Sequence, residues 1–218
     1  MSDRSDPRQL YTQRGRSYIR FVNLVGYAPA LRAYFLKSPL LRSGLHVLDA
    51  GCGTGIVTLA LRQALLRRGF NPGVLRGFDL TPKMLEDFQH TLRTQAIEGV
   101  NVVQADVLQL ATVPADWNRF DLIVSASMME YIPREKLVDA LSGLRSRLHE
   151  AGRIVLFITR RNWLTKPLIG RWWDANLSEA AELEQAFGFA GFSNITFGKF
   201  PFPYSYLSVW GHIIEAKA

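Results

Sequence analysis

The sequence predicts an α/β fold, a doubly wound and mostly parallel sheet with helices on both faces and an antiparallel last strand. Three observations carry this. Short apolar runs rich in Val, Ile and Leu alternate with helix-period segments along most of the chain. Gly51, Gly53 and Gly55 stand between the first such run and the first long helical pattern. The last two runs have no helix between them, which a hairpin allows and a parallel crossover does not. A length of 218 residues suits one well-buried domain, so residues 1–218 read as a single unit.

Strands are expected at 46–50, 74–80, 101–107, 120–127, 153–159, 193–200 and 207–217. Helical patterns occupy 55–69, 82–97 and 134–150, and an irregular crossover spans 108–118. In the third helix Leu137, Leu141, Leu144 and Leu148 recur at i, i+4, i+7 and i+11, forming one apolar stripe. The second opens at Thr81 and Pro82, a capping residue followed by one suited to a first turn. Another helix starts near Ser178.

Two segments stand outside the alternation. Residues 1–43 form an N-terminal helical cap region, two Arg-studded apolar helices broken near Gly26 and Pro29. Residues 160–177, with Trp163, Trp172 and Trp173 among basic residues and breakers, read as an insertion covering a substrate.

Composition narrows the classes. Hydrophobic residues at 48% and charged ones at 21% are ordinary for a globular domain. The single cysteine, Cys52, excludes an intramolecular disulfide and a cysteine-rich zinc site, and no metal site is expected. The N-terminus has no apolar signal core, and no segment approaches the ~18 apolar residues of a membrane span, so a cytoplasmic chain is expected. The net charge of +7 is carried mostly by arginines spread along the chain, which favours a solvated basic surface over a site for an anionic partner, whether nucleic acid, an acidic lipid surface or an anionic metabolite.

The glycines lie where open parallel sheets bind ligands, at the carboxyl end of the first strand and the start of a helix. Their spacing is G-x-G-x-G after the acid Asp49, and the dinucleotide fingerprint is G-x-G-x-x-G. A carboxylate beside the loop repels a pyrophosphate and favours a cationic group.

These residues resemble the first motif of the class I S-adenosylmethionine-dependent methyltransferases. Three further motifs fall in order along 44–160: "GFDL", "QADVLQL" and "FDLIVSASMMEYIP". The resemblance implies a seven-stranded sheet of order 3-2-1-4-5-7-6, with S-adenosylmethionine as methyl donor and S-adenosylhomocysteine as product. It implies that Asp49, Gly51, Cys52, Gly53 and Gly55 form the cofactor loop and that Asp79 accepts both ribose hydroxyls. Leu80 and Met84 would pack on the adenine, Asp106 would receive its amino group, and Val107 would offer a backbone N–H to the ring. Ser125 and Ala126 would lie beside the methionine part.

A sulfonium is already an activated methyl donor, so the protein mainly aligns a nucleophile and excludes water. Where a base is needed, the candidates are Glu130 and Tyr131, with a packing or capping role as the competing reading. Departures from subfamilies narrow the acceptor. The quinone-pathway enzymes carry E-x-x-E-H where this chain has Ser127 and Tyr131 at the outer positions of "SMMEY". The N-P-P-Y signature of amino-directed DNA methyltransferases is absent, and the one cysteine lies in the cofactor loop. What remains is an N or O atom of a small molecule or lipid.

Tyr18, Trp163, Trp172 and Tyr204, with Trp173, Phe202 and Tyr206, are the candidate pocket walls. The Arg-studded N-terminus also fits a peripheral contact with an anionic membrane. An RNA-binding or RNA-modifying protein of the same fold and a non-catalytic S-adenosylmethionine-binding subunit are the alternatives, although the motifs disfavour nucleic acid.

Overall fold

A computed structural model describes residues 25–160 and 179–218. Helix α1 (Tyr27–Lys37) leads into β1 (Val47–Ala50), α2 (Ile56–Arg67), β2 (Leu75–Asp79), α3 (Pro82–Thr94), β3 (Val100–Gln104) and β4 (Phe120–Ala126). There follow α4 (Leu137–Arg145), β5 (Leu148–Thr159), α5 (Ala180–Phe189), β6 (Ser193–Gly198) and β7 (Gly211–Lys217). The seven strands form one sheet of order β3-β2-β1-β4-β5-β7-β6. The first five run parallel, and β7 lies antiparallel to both β5 and β6. Expected class, strand order and reversed last strand all match.

A strand's period of two, applied to strands apolar throughout, builds a core on each face. Ile154, Leu156 and Ile158 of β5 join Leu141 and Leu144 of α4 and Leu183 and Phe187 of α5 on one side. Val155 and Phe157 join Leu31 and Phe35 of α1 and Leu61 and Leu65 of α2 on the other. All these side chains are buried. The parallel strands therefore end together along one edge, and that edge is where the glycine loop stands.

Several expected boundaries need correction. The helix expected over 134–150 is a short 3-10 turn, Arg134–Lys136, followed by α4, which ends at Arg145. Leu148 is the first residue of β5, paired with Phe120, although its side chain still joins the core that the stripe predicts. Arg147 forces the change: its carbonyl accepts the Phe120 N–H, and its guanidinium donates to the carbonyls of Trp117 and Leu110. The strand expected over 101–107 stops at Gln104, because the Ala105 N–H turns back to the Asp79 carbonyl and Asp106 caps a 3-10 turn, Val107–Thr112. The strand expected from 207 starts at Gly211, after a 3-10 turn at Tyr204–Val209, and the one expected over 193–200 ends at Gly198.

Of the expected N-terminal cap region, residues 1–24 lie outside the described residues; Gly26 caps α1 with φ of 69°, and Pro29 sits inside the first turn, where a missing N–H leaves no intrahelical bond unmade. Thr81 occupies the cap position of α3, but its side chain makes no capping bond; its N–H instead donates to Asp79 Oδ1 at 2.8 Å.

Candidate functional site

The loop between β1 and α2 is stitched to β2 before any ligand is considered. The N–H groups of Gly51 and Cys52 both donate to the Phe78 carbonyl, at 2.8 and 2.9 Å, and the Gly55 N–H donates to the Cys52 carbonyl. Gly51, Gly53 and Gly55 all hold positive φ, at 74°, 51° and 86°. Residues with a Cβ disfavour this region by roughly 1–2 kcal/mol.

The three glycines serve different neighbours. A Cβ on Gly51 would lie 2.6–2.8 Å from the Met128 side chain, and one on Gly55 would lie 2.1–2.4 Å from the Phe88 ring. A Cβ on Gly53 would meet only Asp79 Oδ2, at 4.0 Å. Gly51 and Gly55 therefore admit protein, whereas Gly53, among the described residues, faces open space beside an acid.

Asp79 ends β2, and its carboxylate joins the two loops. Oδ2 accepts the Gly53 N–H at 2.8 Å, and Oδ1 accepts that of Thr81. Burial pushes its pKa up, against those hydrogen bonds. Each carboxylate oxygen has a further lone pair, so a diol can still donate to both.

Asp49 lies beneath the loop, 1% exposed. Its Oδ2 accepts both the N–H and the hydroxyl of Thr58, in the first turn of α2, at 3.0 and 2.5 Å. Its Oδ1 is buried and has no partner among the described residues. Desolvation is the main cause that raises its pKa to about 7, with the Asp79 charge adding to it. A buried acceptor left open beside a glycine cradle fits a cationic group, which would supply the missing donor and restore the ionised state.

Cys52 points away from that cradle. Its thiol is buried with Leu85, Phe88 and Leu92, and a Cβ on Gly77 of β2 would lie 3.0–3.1 Å from its side chain. Burial raises its pKa well above the usual thiol value, so the side chain is an inert filler and the loop uses its backbone.

Leu80 and the buried Met84 follow β2, and Met84 falls in the first turn of α3. Asp106 follows β3, its Oδ1 accepting the Leu108 N–H at 2.9 Å, and Val107 beside it is buried. Asp49, the glycines, Asp79, Leu80, Met84, Asp106 and Val107 thus lie at the carboxyl ends of three adjacent strands. Ser125 lies at the end of β4, but its hydroxyl donates to the Ala50 carbonyl at 2.8 Å and ties β4 to β1. Its side chain is a strand clamp, and its backbone is paired with Leu156 of β5.

Glu130 is 3% exposed, and both oxygens are engaged: Oε2 accepts the Thr159 N–H at 2.9 Å and Oε1 the Thr159 hydroxyl at 3.0 Å. Burial raises its pKa. The carboxylate pins the turn after β4 to the last residue of β5. Tyr131 is half-buried in the same 3-10 turn, Met129–Tyr131. Tyr204 packs at the start of α1, its ring 3.9 Å from the Cβ position of Gly26. Tyr18, Trp163 and Trp172 lie outside the described residues.

Sequence reasoning missed Thr58, Phe88, Met128 and Thr159. Only Thr58 left a signal: a hydroxyl in the first turn of the helix that opens behind an otherwise unpartnered buried acid.

A family described as "Methyltransferase domain" matches residues 47–152. A demethylmenaquinone methyltransferase of Staphylococcus aureus is 26% identical over 160 residues, 72% of this chain and 62% of that protein. A carboxy-S-adenosyl-L-methionine synthase of Chromohalobacter salexigens is 32% identical over 117 residues, 53% of this chain and 40% of that protein. The matches thus span less than two thirds of either relative. Among solved structures, magnesium protoporphyrin IX methyltransferase from Synechocystis PCC 6803, with SAH bound, superposes with a TM-score of 0.69 at 20% identity, covering 96% of this chain and 97% of that one. The methyltransferase in a Haloferax volcanii complex with the Trm112 activator superposes at 0.71, with 15% identity over 98% and 97% of the two chains.

Proposed function

We propose, from a chain that carries a methyltransferase domain of the class I S-adenosylmethionine-dependent family, that it transfers a methyl group to an N or O atom of a small molecule or lipid. One observation carries the reading. The open Gly53 cradle is bonded directly to Asp79, so the loop and the acid of β2 form one surface above the unpartnered Asp49 Oδ1.

The bound donor supplies an activated methyl on a sulfonium. In this reading Asp79 accepts the ribose hydroxyls with the lone pairs that Gly53 and Thr81 leave open, and Leu80, Met84 and Val107 flank the adenine. Asp106 takes the adenine amino group on its carboxylate. Asp49 would offer Oδ1 to the α-ammonium of the methionine end, a donor that S-adenosylhomocysteine retains. Glu130 acts as a positioning residue, and Tyr131 is the remaining candidate to receive a proton. Alignment of the acceptor in line with the leaving group contributes the larger part of the rate, roughly 7 kcal/mol or more.

The acceptor reading rests on what the chain lacks and on its relatives. Its fourth motif departs from the quinone-pathway E-x-x-E-H, while one relative is named for demethylmenaquinone and one solved structure of similar fold for magnesium protoporphyrin IX. The test is incubation of the protein with methyl-labelled S-adenosylmethionine and separate metabolite, lipid and RNA extracts. Label in the metabolite or lipid fraction is expected. Label in RNA alone, or in none while S-adenosylhomocysteine binds, would favour the RNA-directed or non-catalytic alternative.

A further inference from the structure

The connection from β6 to β7 presents a small apolar tip whose role the site described above does not explain. Phe202, between Pro201 and Pro203, is 84% exposed, and Tyr206 and Val209 on the following 3-10 turn are each about half exposed. Phe197, at the end of the neighbouring edge strand β6, is also exposed and packs edge-on against His212.

The tip is built. Phe200 and Leu207 of the same segment are buried, and the Phe200 ring packs on Phe157 and Tyr27. The Phe200 N–H donates to Ser208 Oγ, the Tyr204 N–H to the Pro201 carbonyl, and the Tyr206 hydroxyl to the Val25 carbonyl at 2.7 Å. The same segment thus sends two apolar side chains in and three out.

Its position is fixed by topology. Gly211, the first residue of β7, pairs with Thr159, the last of β5, so the tip stands at the carboxyl edge of the parallel strands with the glycine loop. Its charge is one-sided: from Ser193 to Ile214 there is no Asp or Glu, whereas Lys199 is exposed. Exposed Arg160 is joined to the end of the turn through its N–H to the Trp210 carbonyl.

We infer that this tip, Phe202 with Tyr206 and Val209, docks on an anionic lipid bilayer, with Lys199 meeting the headgroups. Its exposed area, roughly 350 Å², falls well short of the ~800 Å² per partner of a stable protein interface. Projecting aromatic residues beside Lys199, on a segment whose residues 193–214 include no Asp or Glu, suit insertion at a headgroup boundary. The inference deepens the proposed lipid acceptor and rests on that reading for its consequence: a donor site that opens toward the surface from which an apolar acceptor arrives.

The test is sedimentation of the full chain with phosphatidylcholine vesicles, with and without phosphatidylglycerol, at low and high salt. The wild-type chain is expected to pellet with the anionic vesicles and to be released by salt. Phe202→Ser with Val209→Ser should lower binding by about tenfold or more, and Lys199→Gln by about fivefold. S-adenosylhomocysteine binding should be unchanged in both variants, which also reports that they fold. Equal vesicle binding by wild type and the double variant would overturn the inference. So would conversion of a wild-type dimer to monomer by the double variant, which would make a second copy the occupant. Asp79→Ala keeps the tip and should bind vesicles as the wild type does while losing S-adenosylhomocysteine; a wild-type chain that binds anionic vesicles but no S-adenosylhomocysteine would support the docking surface and count against the methyltransferase reading alone.

Discussion

Asp49 makes cofactor affinity depend on pH in a way that an ordinary surface acid cannot. Its pKa stands at about 7 in the ligand-free fold against 3.8 for the free side chain, mainly because burial disfavours its charge. A difference of about 3 units corresponds to ~4 kcal/mol between the two protonation states. The sign follows from the direction. The unfolded chain ionises first, so this group's contribution to stability declines as pH rises from about 4 to about 7 and is level above that. A ligand cation at Oδ1 favours the ionised form. Binding below pH 7 must first release the proton, so affinity for S-adenosylhomocysteine should rise about tenfold per pH unit up to about 7 and then flatten. Calorimetric titration between about pH 5.5 and 8.5, in buffers of different ionisation enthalpy, reads both the slope and the released proton. Asp49→Asn should flatten the profile by one proton and weaken binding at pH 8. A wild-type affinity that does not change across this range, with no proton released, would refute the assignment of Oδ1 to a cationic group.

The glycines separate folding from binding. Gly55→Ala drives a Cβ into the Phe88 ring at a positive φ and should destabilise the domain by roughly 2–4 kcal/mol in denaturant unfolding. Gly53→Ala meets nothing closer than Asp79 Oδ2 at 4.0 Å, so it should cost about 1 kcal/mol in stability while weakening S-adenosylhomocysteine binding tenfold or more; the reverse pattern would show that Gly53 is only a turn residue. Glu130→Gln sets an amide N–H₂ against one of the two Thr159 donors and should lower stability by about 1.5–3 kcal/mol. If thermal unfolding and cofactor binding are unchanged while turnover is lost, Glu130 is a base and its positioning role is wrong.

The fold was legible where local pattern and tertiary structure agree. Strands apolar throughout, separated by helix-period segments, leave a two-faced parallel sheet as the packing that buries them, and the helix-free last connection marks the reversal before β7. Boundaries failed where long-range bonds overrode local propensity. Leu148 sits at the right angular position for the α4 stripe, yet Arg147 is drawn into bonds with Phe120, Trp117 and Leu110, and no helical period records that. Asp106 continues an apolar run in sequence, but its side chain bonds to Leu108 and turns the chain.

At the site, spacing exposed the glycine loop after Asp49 and the family resemblance singled out Asp79 and Asp106; the structure places all of them at or just beyond strand ends. It could not show that Asp49 is wholly buried, that Ser125 spends its hydroxyl on β1, or that Glu130 spends both oxygens on Thr159, because each partner comes from another element. Cys52 was legible as a filler, and the structure supplies what it fills, the space above Gly77. The pocket candidates Tyr18, Trp163 and Trp172 fall outside the described residues.

The central claim is that the glycine loop and Asp79 together seat S-adenosylmethionine. It is tested most directly by equilibrium calorimetry of S-adenosylhomocysteine and of NAD against the wild-type chain and Asp79→Ala. Saturable one-to-one binding of S-adenosylhomocysteine by the wild type, its loss in a folded Asp79→Ala, and no heat with NAD are predicted. Binding of NAD, or undiminished S-adenosylhomocysteine binding by the variant, would contradict the account.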